Sequence, residues 1–324
     1  MTHRIWSLAE IDADTRPVPA DIVAGFIPGK QAVLLSGPGG DGKSYACLDL
    51  AIHVAAGIPW LGLNVRQVPV LVIDLENEFV RLRERIRELL WAHGLSTTPP
   101  PVHVAFGLDL RLSRDEGAIE IADMAAQVGA GLVILDSLVD FLGDVDENSN
   151  PQMGKVAERL RNITLLHDCS ALGIHHTPKT NNATPRGASA LRNGISVCIL
   201  ATRNGNTITM AQDKNRVGAE KTVIARLDWG PGTFDMSPMG ITTGRVAKSP
   251  DADEKAILHA LNDGGWHPSN DVVNTVMNNS KHKRSTIHSK LSAMIKDAVL
   301  EKKDAGDGVP YDVRLNPYYA AMQP

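Results

Sequence analysis

Cysteine is scarce: Cys47, Cys169 and Cys198 are the only three in 324 residues. They are scattered and lack C-x-x-C spacing, which argues against a disulfide framework or a zinc site and fits a reduced cytosol. Excess basic charge is also lacking. The formal net charge is -4, so no global basic field advertises nucleic acid, although local basic patches stay open. The N-terminal stretch "MTHRIWSLAEIDADTRP" has no apolar h-region, and no uninterrupted apolar run reaches membrane-spanning length. No internal repeat or low-complexity tract is visible. The expectation is a soluble cytoplasmic protein with no membrane partner. What is present is a 43% hydrophobic share, enough for a real core in one large domain or two smaller ones.

Strand-like and helix-like segments alternate. "QAVLLSG", "VPVLVIDLE", "VHVAFG", "GLVILDSL" and "SALGIHH" are short apolar runs. Between them lie helical patterns such as "GKSYACLDLAIHVAAG" and "FVRLRERIRELLWAHG". "ISVCILATRNGNTITMAQDKNRV" reads as strands around a tight "NGN" turn. This alternation predicts an α/β fold with a mostly parallel sheet and helices on both faces. The expected organisation is a first domain over 1–246, with a lead-in over 1–30, then a linker over 247–253 and a second domain over 254–324.

Gly37 to Ser44 spells G-x-x-x-x-G-K-S between a predicted strand and a predicted helix. That context separates a phosphate-binding loop from a chance match. Glycines let backbone N–H groups turn inward towards phosphate, and the helix start adds its positive end. Lys43 would neutralise β- and γ-phosphate charge, and Ser44 would hold Mg²⁺. ATP contacts are expected from Gly37, Pro38, Gly39, Gly40, Asp41, Gly42, Lys43, Ser44 and Tyr45. A second magnesium-holding carboxylate is needed at the end of a buried strand, and Asp136 closes "GLVILD". The bland alternative for Asp136 is a cap on the next element.

Ser137, not glutamate, follows Asp136. The Asp-Glu pair of AAA+ and DExx-type ATPases is therefore absent, yet hydrolysis needs a group to orient or deprotonate water. "VIDLENE" offers Glu76 just past an apolar strand, with Glu78 as its rival. The placement of Glu76 resembles that in RecA-fold ATPases, where the catalytic glutamate follows the strand after the P-loop helix. Taken together, the P-loop, D-x-E, "LDS", "HH" and "RGAS" appear in the order found in plasmid-encoded RepA-type hexameric helicases. That family is a branch of the RecA/DnaB superfamily, and the likeness runs from about Ile22 to about Arg226. It implies a RecA-like P-loop core, a ring, ATP with Mg²⁺, and translocation on single-stranded DNA in a plasmid, phage or integrated element. It also implies that His176 is the γ-phosphate sensor, while His175 is expected to make a structural hydrogen bond. The loop "TPKTNNATPRGAS" would face the central channel, with Lys179 and Arg186 towards DNA phosphates. No aromatic stands there to stack on bases, so grip would be backbone-directed.

Lys214 and Arg216 are one residue apart on a predicted strand and would project to one side. They resemble the lysine and arginine fingers of DnaB-like rings, inserted into a neighbour's ATP site; Arg186 and Arg192 are the alternatives. The last segment reads as three helices and a hairpin around Gly306–Gly308, a winged helix that the minimal RepA-type pattern lacks. Ser269 would cap its second helix. Lys283, Arg284 and Lys290 lie in a locally basic third helix, as DNA contact requires, although winged helices also bind proteins. Three other functions remain as rivals to the ring motor: an ATP-controlled regulator or helicase loader, a RecA-like recombination ATPase, and a small-molecule kinase.

Overall fold

The computed structural model describes residues 5–177, 188–230, 233–243, 252–278, 283–296, 300–303 and 311–315. The chain divides into two compact units, Met1–Thr243 and Gly244–Pro324. In the first unit, α1 (Leu8–Asp12) precedes β1 (Ala32–Pro38), α2 (Lys43–Ala56), β2 (Val70–Asp74) and α3 (Phe79–Ala92). There follow β3 (Val102–Phe106), α4 (Asp115–Val128), β4 (Leu132–Asp136), α5 (Asn150–Leu166) and β5 (Ser170–Thr177). After α6 (Ala188–Gly194) come β6 (Val197–Asn204), β7 (Thr207–Asn215), β8 (Lys221–Gly230) and β9 (Thr233–Thr243). Among the described residues these nine strands form one sheet, in the order β3-β2-β4-β5-β1-β6-β7-β8-β9. Pairing is parallel from β3 to β6 and antiparallel from β6 to β9. The expected mostly parallel α/β fold is what forms.

The apolar strand runs are continuous because both faces of the sheet are covered. Val33, Leu35, Val70, Val72, Leu132 and Ile134 face one core with Leu50 and Val54 of α2 and Leu82 and Leu89 of α3. The alternate residues Leu34, Leu71, Ile73, Val133 and Leu135 face the other, against Ile121 of α4 and Val156, Leu160 and Ile163 of α5. β1 sits tightly against β6: a Cβ on Gly37 would lie 2.4 Å from the Ala201 carbonyl oxygen. Two elements went unforeseen in the sequence. β9 carries Pro238 and Gly240, which break the strand pattern, but it is an edge strand, where proline costs little. α6 has only seven residues.

The second unit contains α7 (Ala252–Ala260), β10 (His267–Pro268), α8 (Ser269–Met277), α9 (Arg284–Lys296), β11 (Leu300–Lys303) and β12 (Asp312–Leu315). Its sheet is antiparallel in the order β10-β12-β11. Ile257, Val273, Val276, Ile287, Leu291 and Val313 pack in its centre. Ser269 is not the cap of α8. It is the first helical residue, its side chain is buried, and its N–H donates to the Tyr311 carbonyl, which leaves Pro268 in the cap position. The turn expected around Gly306–Gly308 lies outside the described residues.

Candidate functional site

Parallel strands deliver their last residues to one edge, and this is where an open α/β sheet places ligands. The carboxyl ends of β1, β2, β4 and β5 bring together the P-loop, Asp74, Asp136 and the His175–His176 pair. At the loop, Gly42 occupies the N-cap of α2 at φ +85°, a left-handed conformation that only glycine adopts cheaply. The first N–H groups of α2 therefore have no capping side chain and stay available to an anion. Lys43 is buried, and its ammonium donates to the carbonyls of Gly37 at 2.9 Å and Pro38 at 2.7 Å. Burial pushes its pKa down, opposed by the charges of Asp41, Asp136 and Glu76.

Asp136 ends β4 and is 3% exposed. Burial is the main cause of its carboxyl being pushed up to about 7, with Asp74 and Glu76 adding to the rise and the Ser44 hydroxyl opposing it. Its Oδ1 is buried with no hydrogen-bond partner among the described residues. A buried carboxylate oxygen left over beside a serine hydroxyl is the donor set that a hard cation such as Mg²⁺ takes. Asp136 thus fits a metal better than it fits a cap, since the cap position of the following turn belongs to Ser137 and carries no side-chain cap bond.

Asp74, opposite Asp136 in the sheet register, is the first residue of the D-x-E motif but had no role assigned from sequence. Its Oδ1 accepts from the backbone N–H of Glu76 at 3.0 Å and of Asn77 at 2.8 Å, so it shapes the turn that presents Glu76. Asn77 in turn accepts from Arg85, whose guanidinium lies over the Tyr45 ring. Tyr45 packs with Trp229 and Phe234, an aromatic cluster built from three separated segments. The signal for Asp74 was present in "VIDLENE", as the acid that closes the strand. The aromatic cluster had no local signal.

Glu76 and His176 meet: Oε2 lies 3.5 Å from Nε2. Glu78 instead takes the N-cap position of α3. His175 departs from expectation. Its Nδ1 is buried without a hydrogen-bond partner among the described residues, so the structural bond expected of it is not made. Burial lowers its pKa to about 4, so it is neutral at physiological pH.

The predicted cations behave differently. Lys214 donates to the carbonyls of Arg192 at 2.6 Å, Asn193 at 3.1 Å and Ile195 at 2.6 Å, which closes the C-terminal end of α6 with all three of its N–H groups. Arg192 is held by Asp213 through an ion pair and a backbone contact. Arg216 lies beyond the end of β7, exposed, in the turn that Asn215 closes onto Val217 and Gly218. Its guanidinium makes no hydrogen bond or ion pair among the described residues. Lys214 and Arg216 therefore do not stand as a matched pair on one strand, since β7 ends at Asn215. Lys179 and Arg186 lie outside the described residues. In the second unit, Lys290 pairs with the buried Asp253 at 2.8 Å, and Arg284 donates to Asn274 and Asn270 of α8. Lys283 is exposed. No helix among the described residues is long and apolar enough to cross a membrane.

Comparison with known proteins agrees with this arrangement at the level of fold. The chain resembles the solved structure of a DnaB-like replicative helicase, described together with its interactions with primase, at a TM-score of 0.52 and 13% identity. The match covers 70% of this chain and 63% of that one, so the chain spans under two thirds of that helicase's length. The likeness is one of fold: a RecA-like α/β core built on a large, mostly parallel sheet. No curated protein matches the chain. The AAA domain profile AAA_25 matches residues 2–182, more than half the chain, and takes in the P-loop, Glu76, Asp136 and the histidine pair: the chain belongs to the AAA_25 family of AAA domains.

Proposed function

We propose that the protein is an ATP-hydrolysing ring motor, a hexameric helicase that translocates on single-stranded DNA during replication of a plasmid, phage or integrated element. The observation that carries this reading is the meeting of Glu76 with His176 at 3.5 Å, at the strand edge that also holds the P-loop and Asp136. Lys43 would leave its two loop carbonyls for the β- and γ-phosphates of ATP. Ser44 and Asp136 would hold Mg²⁺, which when bound neutralises phosphate charge. Glu76 orients the attacking water and takes its proton. His176, sharing that carboxylate, registers whether the γ-phosphate is present and passes the difference to the segment that follows β5.

Ring formation has two supports. Arg216 is exposed with no ion pair among the described residues, as a finger reaching a neighbour's ATP requires. The lead-in also exposes Ile5, Leu8 and Val18, each at 84% or more, apolar surface that a second copy would cover. Lys214 supports the finger indirectly, by holding the end of α6 next to Ser196, whose carbonyl accepts from the Arg216 N–H. In the second unit, three helices and a small antiparallel sheet favour a winged helix. Arg284 and Lys290 are engaged within that unit, which favours a protein partner for it over duplex DNA.

The test is ATPase rate with and without single-stranded DNA, together with assembly mass in nucleotide. DNA-stimulated hydrolysis by a ring is expected. A monomer indifferent to DNA would overturn the motor. Mixing Lys43→Ala with Arg216→Ala subunits should restore activity beyond dilution, because each supplies what the other lacks. Failure to unwind a forked duplex would favour the loader or regulator.

A further inference from the structure

Away from the phosphate edge, three metal-ligating side chains converge. Asp49 and His53 stand four residues apart on α2 and so share a face. His93, at the C-cap of α3, reaches them from across the helix pair. His93 Nε2 lies 2.6 Å from Asp49 Oδ1 and 3.3 Å from His53 Nε2, and His53 Nε2 lies 3.7 Å from the same Asp49 oxygen. His53 is about 15 Å along α2 from Lys43, so the cluster is separate from the magnesium ligands.

Hydrogen bonding pairs His93 with Asp49, which holds the His93 pKa up, but leaves His53 Nε2 competing for the same hydrogen. His53 Nδ1 is 2.8 Å from the Pro59 carbonyl, which can only accept, so Nδ1 carries the hydrogen and a neutral His53 presents a bare Nε2. The single hydrogen that His93 can place on Nε2 then has two acceptors to serve, Asp49 and His53. A cation removes the conflict, since three lone pairs then share one centre. Zinc bonds of about 2.0–2.1 Å set tetrahedral donor separations of about 3.3 Å. The observed 2.6, 3.3 and 3.7 Å reach that by shifts of under an ångström.

The surrounding bonds are those of a ligand set held in place. Asp49 is fully buried, and its second oxygen accepts from Trp60 Nε1 at 2.9 Å. His53 is oriented through Pro59. Each imidazole side chain is 12% exposed, enough to admit ions and one water as a fourth ligand. A burial of this kind is costly for a lone carboxylate, and such outer partners characterise metal-ligating side chains. The geometry points to a three-ligand site for a borderline transition metal, Zn²⁺ by preference, formed by Asp49, His53 and His93 and tying the P-loop helix to the helix that follows Glu76. Two imidazoles and one carboxylate favour Zn²⁺ over Mg²⁺ or Ca²⁺. The cysteine spacing that argued against zinc speaks only to thiolate sites.

The full chain, stripped with chelator and kept free of nucleotide, should bind one Zn²⁺ per chain by titration calorimetry. Co²⁺ should give the visible absorption of a tetrahedral site. The unfolding midpoint should climb with Zn²⁺ concentration and stay put with Mg²⁺. His53→Ala and His93→Ala should each weaken binding at least about 100-fold, and Asp136→Asn should leave it unchanged. Trp60→Phe keeps all three ligands and should cost about 10-fold, as loss of an outer partner does. Should an alanine variant fail to fold, His53→Gln serves in its place. Substoichiometric Zn²⁺ with an unmoved midpoint, or full binding in both histidine variants, would overturn the site.

Discussion

Two sets of charged and polar groups sit in this molecule under opposite rules. Among the described residues, the carboxyl edge of the parallel strands gathers three buried atoms with no hydrogen-bond partner, Asp136 Oδ1, His175 Nδ1 and His176 Nδ1, while Thr222 Oγ1 stands apart from them on β8. On the antiparallel side and in the second unit, cations that look free in the sequence are spoken for. Lys214 serves three carbonyls, Arg192 holds Asp213, and Lys290 holds Asp253. A folded chain does not leave buried polar atoms idle without reason, because each costs about 1–3 kcal/mol. On the function proposed above, that edge is where a ligand completes the structure, and the partnered cations are architecture.

The comparison can be broken most severely at Glu76. Glu76→Gln should cut hydrolysis by about 10²–10⁴-fold while leaving the unfolding midpoint in place, because the side chain is half-exposed. A variant that hydrolyses normally would move the base elsewhere. Next comes the contrast between Lys214 and Arg216. Lys214→Ala should destabilise the first unit by about 1–3 kcal/mol in denaturant titration, whereas Arg216→Ala should stay within about 0.5 kcal/mol. Equal losses would erase the distinction between anchor and finger. A smaller effect is expected at Lys290→Met, about 1–2 kcal/mol, confined by hydrogen exchange to the second unit.

The last contrast is a pH dependence. His175 titrates near 4 when folded and near its ordinary value of 6.5 when unfolded. Between those values the unfolded chain binds a proton that the folded chain refuses, so stability falls as pH drops from about 6.5 towards 4. His175→Asn should flatten that acid limb of the unfolding midpoint. An unchanged slope would mean that another group carries it.

Much of the first unit was legible because its chemistry is local. Apolar runs buried on both faces announce strands β1 to β5, and an acid or a glycine loop just after a strand announces what lies at its end. Asp136, Glu76 and His176 could each be placed that way. What could not be read is what the sequence does not keep together. Lys214 looked free because its carbonyl partners lie about twenty residues away, on a helix too short to show a period. Tyr45, Trp229 and Phe234 become neighbours only when β8 and β9 return beside α2. The cluster of Asp49, His53 and His93 was hidden for the same reason, since 44 residues separate its two closest members.

The tight seat of Gly37 against β6 has a consequence for the motif that it begins. The pattern G-x-x-x-x-G-K-S is written as one signature, but its glycines answer to different masters. A methyl group on Gly37 would strike the Ala201 backbone whether or not a nucleotide ever arrived. A methyl group on Gly39 would meet nothing of the protein within 4 Å. Alleles at the two positions should therefore separate cleanly: one that loses the protein, and one that keeps the protein and loses only what it holds.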